Sequence, residues 1–251
     1  MAGSPAACPW SRADARRRIR CYVSLRLVIF DCDGTLVDSQ RNIVAAMTAA
    51  FESCGLPPPS RERVLAVVGL SLPHAFVHLT AETPEAPVNA LANAYRAAFF
   101  AIRQTPGHRE PLYPGAREAL DALTDRGVLL GIATGKSQRG VAALLAMHGL
   151  EGRFVTIQTA DDAPSKPHPA MVEQALAESG VEPRDTALVG DTSFDMEMAR
   201  AAGVLPIGVA WGYHRPEALL RTGAALVLRS FDRLVPSLDH LWNEESLRER
   251  A

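Results

Sequence analysis

Hydrophobic and polar positions follow two rhythms along this chain. Short, mostly apolar runs rich in β-branched residues recur at 25–30, 128–133, 154–158, 186–189 and 204–209. Runs of that length with no polar alternation predict strands buried on both faces, as in a parallel sheet. Between them lie stretches with apolar residues three and four apart, at 115–126, 138–148, 169–179 and 194–202. Each of these predicts a helix, and Gly127, Gly149, Gly180 and Gly203 mark their ends through left-handed caps. A short strand at 225–229 and a last helix through Leu238 complete the series. Strand and helix in alternation predict an α/β fold with a doubly wound, parallel, Rossmann-like sheet.

One interval breaks the alternation. Between residues 39 and 112 no strand pattern is found. Ile43, Val44, Met47, Ala50 and Phe51 recur at helical spacing, and so do Val88, Leu91, Tyr95, Ala98, Phe99 and Ile102. The chain is therefore expected to hold a Rossmann-like core, residues 24–38 and 113–240, with an all-helical cap, residues 39–112, inserted after the first strand. Three consecutive prolines at 57–59 punctuate the insertion, and Pro111 and Pro114 mark the return. Residues 1–23, arginine-rich and without the apolar stretch of a secretory signal, are expected to be a disordered extension. Residues 241–251 read as a polar tail.

The polar residues that interrupt this pattern fall at strand ends, where ligands bind in open α/β sheets. The first strand stops at Asp31-Cys32-Asp33-Gly34. Two carboxylates held that close repel each other and need a cation or a shared proton. The second strand ends in Thr134-Gly135-Lys136, a hydroxyl and free amides suited to phosphate-like oxygens. Asp191 ends the fourth strand, and Asp195 follows in the first turn of a helix, where the macrodipole favours an acid. Asp31, Asp33 and Asp191 form a hard-oxygen set that favours magnesium over zinc. Of 26 basic residues only Lys136 and Lys166 are lysine, and both lie in these loops. A compact ammonium can press against crowded oxygens where a planar guanidinium cannot.

Bulk properties narrow the partners. With 251 residues, 47% hydrophobic and 22% charged, and a formal net charge of -2, the chain gives no electrostatic reason to bind nucleic acid or a membrane. No apolar stretch reaches the ~18 residues of a membrane span. Cys8, Cys21, Cys32 and Cys54 include no CxxC pair, which disfavours disulfides and zinc and is consistent with a cytoplasmic protein. Cys32 reads as a small residue turned back into the sheet. His74 and His78 have metal-pair spacing without supporting context, and Trp211-Gly212-Tyr213-His214 reads as a packing loop. Oligomeric state is left open.

The ordered set Asp-x-Asp, Thr, Lys, Gly-Asp-x-x-x-Asp fits an enzyme in which a carboxylate attacks phosphorus. A signalling receiver module gathers similar groups, but it is about half this length, carries its acceptor on a middle strand and has no inserted cap. A catalytically dead binding protein of the same fold is disfavoured by the intact polar set. From about Ser24 to Leu238 the chain resembles a haloacid dehalogenase superfamily hydrolase with a small helical cap, most like the phosphoglycolate phosphatase branch. The resemblance implies a magnesium-dependent phosphatase acting on a small phosphorylated metabolite. Asp31 would be the nucleophile and Asp33 the general acid and base, its carbonyl joining the magnesium shell. Thr134 and the Gly135 amide would bind phosphoryl oxygens, and Lys166 would stabilise charge. Asp191 would complete the metal shell, with Asp195 supporting it.

Asp33 favours phosphate esters over haloacids, because an alkoxide leaving group needs a proton. Sugar phosphomutases resembling β-phosphoglucomutase, and broad-range sugar or nucleotide phosphatases, share Asp33 and are the alternatives. The cap loop at 67–72, with Gly69, Leu70 and Ser71 at its centre, matches the place where relatives carry specificity residues. It holds no charge, so Arg61, Arg63, Lys136 or a backbone nest is expected to meet a carboxylate on the substrate.

Overall fold

The computed structural model describes residues 25–83 and 85–248; the expected N-terminal extension lies outside them. Six strands form one parallel sheet: β1 (Leu27–Phe30), β2 (Leu129–Ala133), β3 (Thr156–Gln158), β4 (Thr186–Gly190), β5 (Leu205–Val209) and β6 (Leu226–Leu228). Their spatial order is β3-β2-β1-β4-β5-β6. The chain therefore reverses direction across the sheet at β1, between β2 and β4, and the crevice beyond the strand ends opens there.

Period-two alternation divides β1 between two cores. Val28 and Phe30 join Leu120, Leu130, Ile132, Val189 and Ile207 on one face. Leu27 and Ile29 join Met171, Val172, Leu188 and Met196 on the other. All four β1 side chains are fully buried, and burying an aliphatic or aromatic side chain stabilises by roughly 1.5–3 kcal/mol. This rigid strand fixes the residue that follows it, Asp31. Cys32 is also fully buried, within the first core, and burial pushes its thiol pKa up. It is the packing residue its position implied.

Helices α5 (Ala116–Asp125), α6 (Gln138–His148), α7 (Ala170–Ser179), α8 (Ser193–Ala201) and α9 (Pro216–Arg221) cover the sheet. The final helix, α10 (Leu234–Arg248), runs further than the sequence pattern implied. Leu234, Leu238 and Trp242 form one apolar stripe on it, and the Arg26 guanidinium lies 4.6 Å from the Trp242 ring centroid. Residues 241–248 thus belong to a helix rather than a polar tail. Strand β3 is shorter than expected, starting at Thr156, although the Val155 amide already donates to the Leu130 carbonyl at 2.9 Å.

Between β1 and α5 the chain forms α1 (Gln40–Ser53), α2 (Arg61–Leu65), α3 (Leu72–Leu79) and α4 (Val88–Gln104). They enclose a separate cluster including Ile43, Met47, Phe51, Phe76, Leu91 and Phe99. Where the chain leaves and rejoins the sheet the two segments lie side by side. Val37 bridges Leu112, the Asp38 amide donates to the Pro111 carbonyl at 2.9 Å, and the Tyr113 amide donates to the Leu36 carbonyl at 2.9 Å. Among the described residues no helix is long and apolar enough to cross a membrane.

Candidate active site

Asp31 follows β1 directly and is 1% exposed. Its amide donates to the Val189 carbonyl at 3.0 Å, so β4 fixes its backbone. Oδ1 lies 3.0 Å from Lys166 Nζ as an ion pair, whereas Oδ2 is buried with no hydrogen-bond partner. Such an unpartnered buried acceptor is rare in a folded interior and suits a bound ligand. Burial is the largest influence on its carboxyl pKa, opposed by Lys166 and assisted by Asp195 and Asp33, and the net result is a rise to about 6.

Lys166, also 1% exposed, bridges two carboxylates. Nζ donates to Asp195 Oδ1 at 2.6 Å while pairing with Asp31. Burial works against its charge, but Asp195 and Asp31 outweigh it, so its pKa is raised and the lysine stays protonated. Asp195 Oδ2 accepts from the Thr192 amide at 3.0 Å and the Thr192 hydroxyl at 2.6 Å, and the Asp195 amide donates back to Thr192 Oγ1 at 3.3 Å, closing a capping box at the start of α8. Both Asp195 oxygens are therefore engaged, and this residue holds Lys166 in place.

Asp191 follows β4 and is fully buried. Oδ1 accepts from Thr35 Oγ1 at 3.0 Å and Oδ2 from the Tyr213 amide at 2.8 Å. Burial, then the charges of Asp31 and Asp195, raise its pKa well above the usual carboxylate range. Asp31, Asp191 and Asp195 each offer an oxygen within 4.8 Å of the others. Three buried carboxylates facing a single lysine leave negative charge uncompensated, and hard oxygen donors at this spacing suit a divalent cation. The unpartnered Asp31 Oδ2 passes the same test.

Asp33 is less buried. Its Oδ1 pairs with Lys136 Nζ at 2.8 Å and accepts from the Ser39 hydroxyl. Gly34 follows with φ +84, and a Cβ there would come within 2.2 Å of Asp191 Oδ2. Only glycine lets the two acidic loops approach this closely.

A cavity of ≈ 360 Å³ lies above these groups. From the sheet side it is lined by Asp31, Asp33, Thr134, Gly135 and Lys136, and from the helical insertion by Gly69, Leu70 and Ser71. The insertion is seated on the site. A Cβ on Gly135 would meet the Gly69 and Leu70 carbonyls at 2.7 and 2.8 Å. The Ser71 amide donates to Ser165 Oγ at 2.8 Å, beside Lys166.

Every residue singled out from the motifs thus falls at one place, with two corrections among the cations. Arg61 bonds to Gln40 Oε1, and Arg63 donates to the Leu79 carbonyl at 2.9 Å. Neither lines the cavity. Arg96, Arg103 and Arg139 line it instead. Sequence reading also missed Thr35, Ser39 and Tyr213, which orient the acids. Tyr213 belongs to the loop expected merely to pack. Trp211 of the same loop donates to the Thr35 carbonyl at 3.1 Å. His74 Nδ1 lies 2.8 Å from Ser71 Oγ.

A parallel sheet with acidic loops at its switch point and a helical insertion over them defines a class, and the comparisons agree. The haloacid dehalogenase-like hydrolase model matches residues 28–209, and the chain belongs to that family. It is 37% identical over 213 residues to Probable phosphatase IndB of Dickeya dadantii, covering 83% of this chain and 91% of that one. It is 32% identical over 221 residues to phosphoglycolate phosphatase of Agrobacterium fabrum, covering 83% and 94%. A hydrolase from Pseudomonas syringae superposes with a TM-score of 0.76 at 27% identity, covering 86% of this chain and 98% of that one. The protein is a hydrolase of this family.

Proposed function

We propose that this hydrolase is a magnesium-dependent phosphatase acting on a small phosphorylated metabolite, with Asp31 as nucleophile. The observation that carries this reading is Asp31 itself. It is a buried carboxylate lining the cavity, held through one oxygen by Lys166 and unpartnered at the other. Although burial pushes its pKa up to about 6, it is mostly ionised at neutral pH.

In the first step a carboxylate oxygen of Asp31 forms a bond to phosphorus and the ester P–O bond breaks. The departing alkoxide takes the proton that Asp33 carries on entering this step, with Ser39 and Lys136 holding that carboxyl at the cavity wall. Thr134 and the Gly135 amide hold phosphoryl oxygens. Lys166 stabilises the charge shared by Asp31 and the phosphoryl group. In the second step Asp33 takes a proton from water, which attacks phosphorus and frees Asp31 and phosphate. Asp31, Asp191 and the Asp33 carbonyl would hold magnesium, with Asp195 supporting them from behind Lys166. When bound, the ion supplies neutralisation of the gathered carboxylate and phosphate charge. The insertion excludes water while the acyl phosphate forms.

Purified protein assayed against a panel of phosphate monoesters should release phosphate with magnesium and stop releasing it in EDTA. Isomerisation of sugar phosphates without net release would indicate a mutase instead. A single phosphorylation with no turnover would indicate a phospho-acceptor.

A further inference from the structure

Four fixed cations line the cavity: Arg96, Arg103, Lys136 and Arg139. Two are already neutralised. Lys136 pairs with Asp33 at 2.8 Å, and Arg103 pairs with the buried Glu110 at 3.2 Å. Among the described residues no carboxylate pairs with Arg96 or Arg139. Arg96 donates only to the neighbouring Asn93 side chain, at 3.1 Å, and the Arg139 guanidinium lies 4.6 Å from the Phe100 ring centroid.

The two come from opposite sides of the cleft. Arg96 is on α4 of the insertion and Arg139 is in the first turn of α6, beside the sheet. Arg96 and Phe100 are four apart and share one face of α4. The Arg139 guanidinium thus lies over the α4 residue one turn past Arg96, whose own head group reaches back to Asn93. Asp161, the remaining acid on the cavity wall, has its Oδ2 accepting from the Gln138 amide at 2.9 Å and pairs with neither arginine. Both arginines are exposed at the cavity rim, where an anionic group on the substrate can bond to either or both. The transferred phosphoryl group cannot fill that role, since its partners are the strand-end loops beneath.

We infer that Arg96 and Arg139 are specificity-determining residues that clamp a second anionic group, a carboxylate or another phosphate, on the leaving group. Guanidinium suits this task, because its planar donors match either oxyanion in bidentate fashion. The inference rests on the phosphatase reading and names its substrate class: phosphate esters of acidic rather than neutral alcohols. The clamp spans the insertion and the sheet, so such a substrate also favours the seated arrangement seen here.

The test measures kcat/KM for four esters, phosphoglycolate and a sugar bisphosphate against glycerol 3-phosphate and p-nitrophenyl phosphate, in wild type, Arg96→Ala, Arg139→Ala and Arg139→Lys. The wild type should prefer the esters with a second anion. Each alanine variant should lose about tenfold or more on those esters relative to the neutral pair, mainly in KM, with Arg139→Lys between. Arg61→Ala, a cation of the insertion outside the cavity, should leave the ratio unchanged. A loss confined to phosphoglycolate identifies the carboxylate, and one confined to the bisphosphate identifies a second phosphate. Equal losses on all four esters, or no wild-type preference, overturn the clamp but spare the phosphatase reading. No turnover of any ester removes both.

Discussion

Asp31→Asn is expected to lower turnover of every phosphate ester by at least about 10⁴-fold, without loss of the fold. The amide keeps the shape of the carboxylate but removes the attacking oxygen's charge. Asp31 is buried, and burial together with Asp195 and Asp33 opposes its ionisation against the pull of Lys166. Neutralising it relieves repulsion within the cluster of Asp31, Asp191 and Asp195. The metal-free variant should therefore melt no lower than the wild type, even though it is inactive. Assay and thermal melt on the same preparation check both halves. Residual activity above about one per cent of wild type would count against the nucleophile assignment.

Lys166 carries the second large effect. Its ammonium touches Asp31 and Asp195 from a position with no exposed side-chain surface. Lys166→Arg places a larger, planar group in that space, and one guanidinium cannot keep both contacts without displacing a loop. Activity should fall about 100-fold or more, by loss of charge stabilisation at the reacting centre. Lys166→Met removes the cation altogether and leaves carboxylates buried without a partner, which costs about 3–5 kcal/mol of stability in EDTA. Magnesium should restore part of that loss, because a ligand bound only by the folded state stabilises it by mass action. Near-normal rates in Lys166→Arg would remove the lysine from the chemistry.

What the sequence discloses about this site follows from the range of the interactions. Asp31, Thr134 and Asp191 were legible because each ends a short apolar run, and a strand's end is a local property. Lys166 stood out by rarity, as one of two lysines, and the other, Lys136, also reached the site. The helical insertion was legible from the spacing of Ile43, Met47 and Phe51. Residues whose role depends on how α4 sits over the sheet were not. Arg96 and Arg139 look like ordinary helix-surface arginines until the insertion is placed. Arg61 and Arg63 seemed well placed by their closeness in sequence to Gly69, yet they bond to Gln40 and to the Leu79 carbonyl instead. Thr35 and Tyr213 reach Asp191 from 156 and 22 residues away, with no local pattern to announce the contact. The helical continuation to Arg248 was readable from Leu234, Leu238 and Trp242, but charged neighbours masked the stripe.

The central claim is that phosphate passes through a covalent bond to one side chain at the end of β1. Protein quenched in acid during steady-state turnover, reduced with borohydride and digested for mass spectrometry tests it most directly. The expected product is homoserine at position 31, formed from the trapped acyl phosphate, and it should be missing when substrate or magnesium is withheld. Unmodified Asp31 under full turnover, or reduction at Asp33 or Asp191 in its place, would contradict the account.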